Sequence, residues 1–237
     1  MRDSDTHRSE QTDQEDSVVP ITGIALDMDG LLFDTEGLYW QVGDTVLQRR
    51  GHRFCAELQQ RMMGRVGLDS IQQMIDFFSL SDSPQRLMEE SDELYGEMLH
   101  DGLQPMEGLN EWIAFLQQSG RPFGLATSSR RKFVELIFQG IPWRDSLAFE
   151  LTGDDVVRGK PDPDMYLRAA ELLRIEAKHL LVLEDSGNGC AAAVAAGAQT
   201  VAVPSQHTRE QNFDGAILRA NSLRDPRLWE LIRGATT

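Results

Sequence analysis

The chain has 237 residues, 41% of them hydrophobic, and sets 23 Lys and Arg against 38 Asp and Glu, a formal net charge of −15. That length holds one large domain with a smaller insertion; a surface so negative excludes nucleic acid and anionic lipid as partners and obliges any phosphorylated ligand to find a local cation. No apolar run approaches the roughly 18 residues of a membrane span, the N-terminus has no apolar leader, and Cys55 and Cys190 stand apart without a Cys-x-x-Cys pair, so the expectation is a cytoplasmic monomer or weak oligomer with core thiols and no structural zinc.

Residues 1–18 are polar and acidic without periodicity and read as a disordered tail. The apolar run over 22–27 suits one buried strand and is too short for a helix. It delivers Asp27 and Asp29 at its C-terminal end, two residues apart and so on the same side of an extended segment. Gly30 then lets the backbone turn sharply. Taken alone, Asp27-Met28-Asp29-Gly30 is as compatible with an ordinary Asp-Gly turn as with a reactive site.

From 36 to 105 the pattern is wholly helical. Leu38, Val42, Val46 and Leu47 share a helical face that stops at Gly51, and a short helix over 56–63 follows. Asp69 is the expected N-cap of a helix bearing Ile71, Met74, Ile75 and Phe78. Ser83 and Pro84 open a fourth helix that runs towards Leu99. These elements predict a compact helical unit, with Pro105 and Gly108 marking the return.

Beyond it helix and strand alternate. Leu109, Trp112, Ile113 and Leu116 line a helix ended by Gly120, and 122–126 is a short apolar strand. A helix over 132–138 precedes a short strand over 149–152. Asp162 and Pro163 open a helix with Tyr166, Ala169, Ala170 and Leu173, followed by a fully apolar strand over 179–183. An Ala-rich helix over 189–196, strands over 200–203 and 216–218, and a last helix opened by Asp225-Pro226 complete the chain. Such alternation predicts an α/β fold, a doubly wound parallel sheet of Rossmann-like form with the helical unit inserted as a cap. The expected division is a core over 19–35 and 106–237 and a cap over 36–105.

In such sheets ligands bind outside the carboxyl ends of the strands, and other strand ends here carry chemistry. The strand over 122–126 ends in Thr127-Ser128-Ser129, hydroxyls and amides that can bind phosphate, though Thr and Ser are also common helix caps. The strand over 179–183 ends in Glu184-Asp185, which are costly to bury unless paired or cation-bound. Between them, Lys160 sits in a Gly/Pro-framed loop. Asp27, Asp29 and Asp185 with Glu184 nearby make an oxygen-rich set suited to a hard divalent cation, Mg²⁺. A carboxylate is a competent nucleophile for phosphoryl transfer, and a second one can protonate the leaving oxygen. Lys160 would add positive charge, and Thr127 with adjacent amides would hold phosphate oxygens.

DMDGLLFDTE, LATSS, GKPDPDMY and LEDSGNG, in this order, resemble the four signature motifs of the haloacid dehalogenase (HAD) superfamily. The spacing is similar to the beta-phosphoglucomutase-like and sugar-phosphate phosphatase subfamily, whose helical cap follows the first motif. The resemblance implies Asp27 as nucleophile and Asp29 as general acid/base. It also implies Mg²⁺ held by Asp27, the main-chain carbonyl of Asp29 and Asp185, with Glu184 beside it, and phosphate contacts from Thr127, Ser128 and Lys160. Arg65 lies where related enzymes place a cap loop facing the active site, and is expected to touch the distal part of the substrate. The mutases carry a cap histidine where this chain has Tyr39 and a cap lysine where it has Ser91. The resemblance therefore favours a Mg²⁺-dependent phosphatase of a small phosphorylated metabolite, a sugar phosphate, over the phosphomutase alternative.

Overall fold

Six short strands form one sheet, and the apolar content of the four longest dictates where it lies. They are Gly23–Leu26 (β1), Phe123–Ala126 (β2), Glu150–Leu151 (β3), Leu180–Glu184 (β4), Gln199–Ala202 (β5) and Leu218–Arg219 (β6). The computed structural model describes residues 19–62, 67–99 and 103–234. The acidic segment 1–18 and Arg65 lie outside the described residues. Strand order is β3-β2-β1-β4-β5-β6, with every neighbouring pair parallel.

β1, β2 and β4 are buried along their whole length, as strands covered by helices on both faces must be. Side chains alternate between two apolar layers. Ile24, Leu26, Leu125, Leu181 and Leu183 join the larger one, with Trp112, Ile113 and Leu116 of Leu109–Ser119 (the fifth helix in chain order) and Leu228 and Ile232 of the last. Ala25, Ala126 and Val182 face the other layer, with Met165, Tyr166, Ala169, Ala192 and Ala193.

Nine α-helices are described: Glu36–Gln48 (α1), Ala56–Met62 (α2), Gly67–Phe78 (α3), Pro84–Leu99 (α4), Leu109–Ser119 (α5), Arg131–Ile137 (α6), Asp164–Leu173 (α7), Gly187–Ala195 (α8) and Pro226–Gly234 (α9). Helices α1 to α4 all fall between β1 and β2 and pack on one another, α1 on α4 and α3 on both α2 and α4. The chain leaves for them and returns through one junction. Phe33 bridges Pro105, the Asp34 amide donates to the Gln104 carbonyl at 3.0 Å, and the Met106 amide donates to Leu32 at 2.9 Å. No helix among the described residues is long and apolar enough to cross a membrane.

Element boundaries differ from the sequence reading by a residue or two. Asp69 falls in the first turn of α3, where its charge complements the helix dipole, and is not an N-cap. Pro163 occupies the cap position of α7, and Asp162 accepts from the Asp164 amide at 3.2 Å instead. α8 begins two residues early because the Ser186 hydroxyl accepts from the Gly189 amide at 3.1 Å, a true side-chain cap.

Asp225 shows what such caps are worth. Its buried carboxylate accepts from the Arg227 amide and the Asn221 amide, both at 3.1 Å, and from the Arg227 guanidinium. It thereby starts α9, whose Leu228 and Ile232 close one layer of the core. Asp225→Ala is expected to cost about 1–2 kcal/mol, read as a lower urea midpoint. Hydrogen bonds from Arg227 hold the Asp225 carboxyl well below the usual range. Its contribution is therefore complete above the unfolded value of about 3.9 and is lost as pH falls through the folded one.

Candidate active site

The register of the sheet brings the reactive residues together. Leu26 pairs with Leu125 on one side and Leu183 on the other. One step further along these three parallel strands, Asp27, Ala126 and Glu184 come level, and Thr127 and Asp185 follow immediately. The chain order also reverses between β1 and β4, the switch point at which a crevice opens in doubly wound sheets. The sequence placed these residues on strand ends; the register decides that they share one edge.

Lys160 is the centre of the charge arrangement. Its Nζ donates to Asp27 Oδ1 at 2.6 Å, to Glu184 Oε1 at 2.6 Å and to the Ala126 carbonyl at 2.9 Å. The lysine side chain is 5% exposed, so these contacts replace nearly all of its water. Glu184 is fully buried and has both oxygens engaged. Oε1 accepts from Lys160 and from the Tyr166 hydroxyl at 2.7 Å; Oε2 accepts from the Ser186 amide and hydroxyl at 3.2 and 3.0 Å. A Cβ at Gly189 would lie 1.8 Å from Glu184 Oε1, which is why that position carries no side chain.

Asp29 is held from the neighbouring strand. Its Oδ2 accepts from the Thr127 hydroxyl at 3.1 Å and the Ser129 hydroxyl at 2.8 Å, while its Oδ1 is buried without a hydrogen-bond partner. Gly30 adopts φ +74°, and a Cβ there would fall 2.3 Å from Asp185 Oδ2. That turn brings Asp29 and Asp185 to one place, and only glycine permits it cheaply. Asp185 is itself buried, with the Thr208 hydroxyl donating to Oδ2 at 3.4 Å.

Electrostatics follow from this crowding. Burial, then the charges of Glu184 and Asp29, push the Asp27 carboxyl up to about 8 against the opposing pull of Lys160. Burial and the charges of Glu184 and Asp27 likewise hold Asp185 well above the carboxylate range. Burial alone would lower Lys160, but Asp27 and Glu184 outweigh it and keep the ammonium charged. Two buried carboxylates, Asp27 and Glu184, thus share one ammonium, and Asp185 beside them is not paired with it. Asp27, Glu184 and Asp185 each offer an oxygen within 4.8 Å of the others. An all-oxygen donor set short of positive charge fits a hard divalent cation.

Of the residues expected from sequence, Asp27, Asp29, Thr127, Lys160, Glu184 and Asp185 converge here, and Ser128 lines the same cavity with its side chain exposed. Ser129 was expected only as one of the hydroxyls near a phosphate and Tyr166 only as a helix-face residue; that they hold Asp29 and Glu184 was not anticipated. Ser129 belongs to the same hydroxyl run as Thr127, and Tyr166 lies six residues beyond Lys160, on the buried face of α7. Those signals were present but ambiguous, since both patterns also describe ordinary caps and core.

A family model described as haloacid dehalogenase-like hydrolase matches residues 24–203. (DL)-glycerol-3-phosphatase 2 of Arabidopsis thaliana is 32% identical, over 89% of this chain and 92% of that protein. The bifunctional riboflavin kinase/FMN phosphatase of the same plant is 28% identical over 86% of this chain, which spans only 54% of that longer protein. Among solved structures, CbbY from Rhodobacter sphaeroides in complex with phosphate superimposes with a TM-score of 0.74 at 25% identity, covering 86% of this chain and 95% of that one.

Proposed function

The chain belongs to the haloacid dehalogenase-like hydrolases, and on that footing we propose that it is a Mg²⁺-dependent phosphatase of a small phosphorylated sugar, working through an aspartyl-phosphate. The observation that carries this reading is the pairing of Asp27 with Lys160 at 2.6 Å beside a second carboxylate, Asp29, at the switch point of the sheet. The relatives support a small phosphorylated substrate, since one is named a glycerol-3-phosphatase and another, from Thermotoga maritima, a phosphorylated carbohydrates phosphatase.

In the first step Asp27 attacks phosphorus in line. Its Oδ1 is engaged by Lys160, so attack falls to the other carboxylate oxygen. The bond from phosphorus to the leaving oxygen breaks, and Asp29 gives that oxygen its proton. Thr127 and Ser129 fix Asp29 through Oδ2, leaving Oδ1 as the atom that carries the proton. In the second step Asp29 takes a proton from water, whose oxygen attacks the same phosphorus and frees Asp27 and inorganic phosphate. Asp27, the main-chain carbonyl of Asp29 and Asp185 would hold Mg²⁺, which supplies charge neutralisation at the phosphoryl oxygens. Glu184, adjacent to that set, acts by fixing Lys160. Thr127, Ser128 and Lys160 receive the phosphoryl group.

The same reading divides the chain into a core over 19–35 and 106–237 and a cap over 36–105, with the Phe33–Pro105 bridge as the junction. Phosphate release from sugar phosphates is expected to fall roughly a hundredfold or more on chelation with EDTA and to return with Mg²⁺. Turnover indifferent to the chelator would sink the assignment. Accumulation of an isomer in place of inorganic phosphate would indicate the mutase alternative.

A further inference from the structure

The reactive carboxylates open into a cavity of about 1450 Å³ that continues between the α1–α4 helices and the sheet edge. That volume exceeds what most small-ligand sites need, and far exceeds a three- to six-carbon sugar. Its chemistry divides between two walls. The sheet edge supplies carboxylates, hydroxyls and Lys160; the wall formed by the α1–α4 unit carries Tyr39, Trp40, Phe54, Leu68, Met74 and Met88.

Helix α1 is the element that turns this wall towards the reaction. It starts nine residues after Asp27, and Glu36, Tyr39, Trp40 and Gly43, all cavity-lining, recur at the spacing of one helical face. Tyr39 is 47% exposed and Trp40 36%. Both rings are held from behind. Tyr39 stacks on buried Tyr95 with centroids 4.8 Å apart at 25°, and Trp40 meets Phe54 edge-on at 4.9 Å and 77°. Leu68, across the cavity on α3, is 44% exposed. Rigid aromatic faces left uncovered inside a cavity are platforms for another flat, apolar group.

Charge narrows the occupant. The cations among the described lining residues are Lys160 and Arg130. Lys160 is committed to Asp27 and Glu184, and Arg130 pairs with Asp92 of α4. Acidic side chains outnumber them around the same walls. Against the described lining residues a second anionic group on the substrate would meet net negative charge, whereas an uncharged ring would lose nothing.

We propose that the substrate is a sugar monophosphate bearing an uncharged planar ring, nucleoside-like in size, whose ring lies on the Tyr39–Trp40 face of α1. The inference rests on the phosphatase reading and adds the identity of the leaving alcohol. Uridine 5′-monophosphate and ribose 5-phosphate test it, because they share the phosphorylated carbon and differ by the ring. The expected kcat/KM ratio is ~10 or more in favour of the mononucleotide, the range that stacking on one aromatic side chain supplies. Trp40→Ala should lower kcat/KM for the mononucleotide about tenfold more than for ribose 5-phosphate, which erases that ratio, and Trp40→Phe should restore most of it. Equal turnover of the two esters, or equal loss on both in Trp40→Ala, overturns the proposal; so does a preference that survives Trp40→Ala unchanged. A separate measurement keeps it independent of catalysis. The Asp27→Asn protein, with Trp40 intact, should bind the mononucleotide more tightly than ribose 5-phosphate by calorimetry in the presence of Mg²⁺. Tighter binding without hydrolysis in the unmodified enzyme removes the phosphatase reading and leaves the ring site standing. Equal or reversed binding removes the ring site even where hydrolysis is found.

Discussion

Asp27→Asn is expected to reduce phosphate release by roughly four orders of magnitude or more, as loss of a covalent nucleophile does elsewhere. The change keeps the volume of the side chain and removes only the nucleophilic oxygen and its charge. Lys160 retains Glu184 at 2.6 Å and the Ala126 carbonyl at 2.9 Å, so the ammonium stays compensated. The fold should therefore persist, with circular dichroism unchanged and a melting temperature within a few degrees of the parent. This separation of activity from stability is what distinguishes a nucleophile from a structural carboxylate. A variant within about tenfold of the parent would show that Asp27 does not form the covalent bond.

Lys160→Met has the opposite profile, because it strikes activity and stability together. Methionine fills similar space but leaves Asp27 and Glu184 buried, adjacent and without their common ammonium. Removing one partner from a buried ion pair costs about 3–5 kcal/mol, which is a large fraction of a typical domain's stability. Activity should fall by roughly a thousandfold, since the phosphoryl charge and the orientation of Asp27 both depend on this group. Lys160→Arg should not rescue it. Two carboxylates at 2.6 Å and a main-chain carbonyl surround a compact point charge, and a planar guanidinium cannot meet all three in a pocket where lysine is 5% exposed. Urea denaturation reads the first effect. Combining Lys160→Met with Glu184→Gln should recover part of it, because the second change removes one of the stranded charges. A loss under about 1 kcal/mol in Lys160→Met would contradict the buried-pair account.

These effects also explain why the motifs were readable in advance. Asp27-Met28-Asp29-Gly30 needs a strand before it and a glycine after it, and both requirements are local. The strand over 22–27 appears as β1, Gly23–Leu26, and Gly30 takes the positive φ that its place in the turn demands. Lys160 stood out because glycine and proline frame it in a loop, away from the helical positions where lysines are ordinarily solvated. Helices α1 to α4 were legible from apolar spacing, since an amphipathic face shows in any helix that must bury one side.

Partner choice was not legible in the same way. Glu184 and Asp185 are adjacent and chemically alike, yet Glu184 turns to Lys160, Tyr166 and Ser186, while Asp185 meets Gly30 and Thr208. Alternation along a strand sends neighbours to opposite sides, but which side holds the lysine depends on the packing of α7 against the sheet. Tyr39 and Trp40 pose the same problem: their spacing on α1 marks a face, and only the placement of α3 and α4 decides that this face borders a cavity. Residue type and short-range periodicity therefore settle the elements, the strand ends and the class of chemistry, because each is governed by neighbours within a few positions. The pairing of charges over 24 to 133 residues of chain, and the shape of the space above them, emerge only when strand register and helix packing bring distant segments into contact.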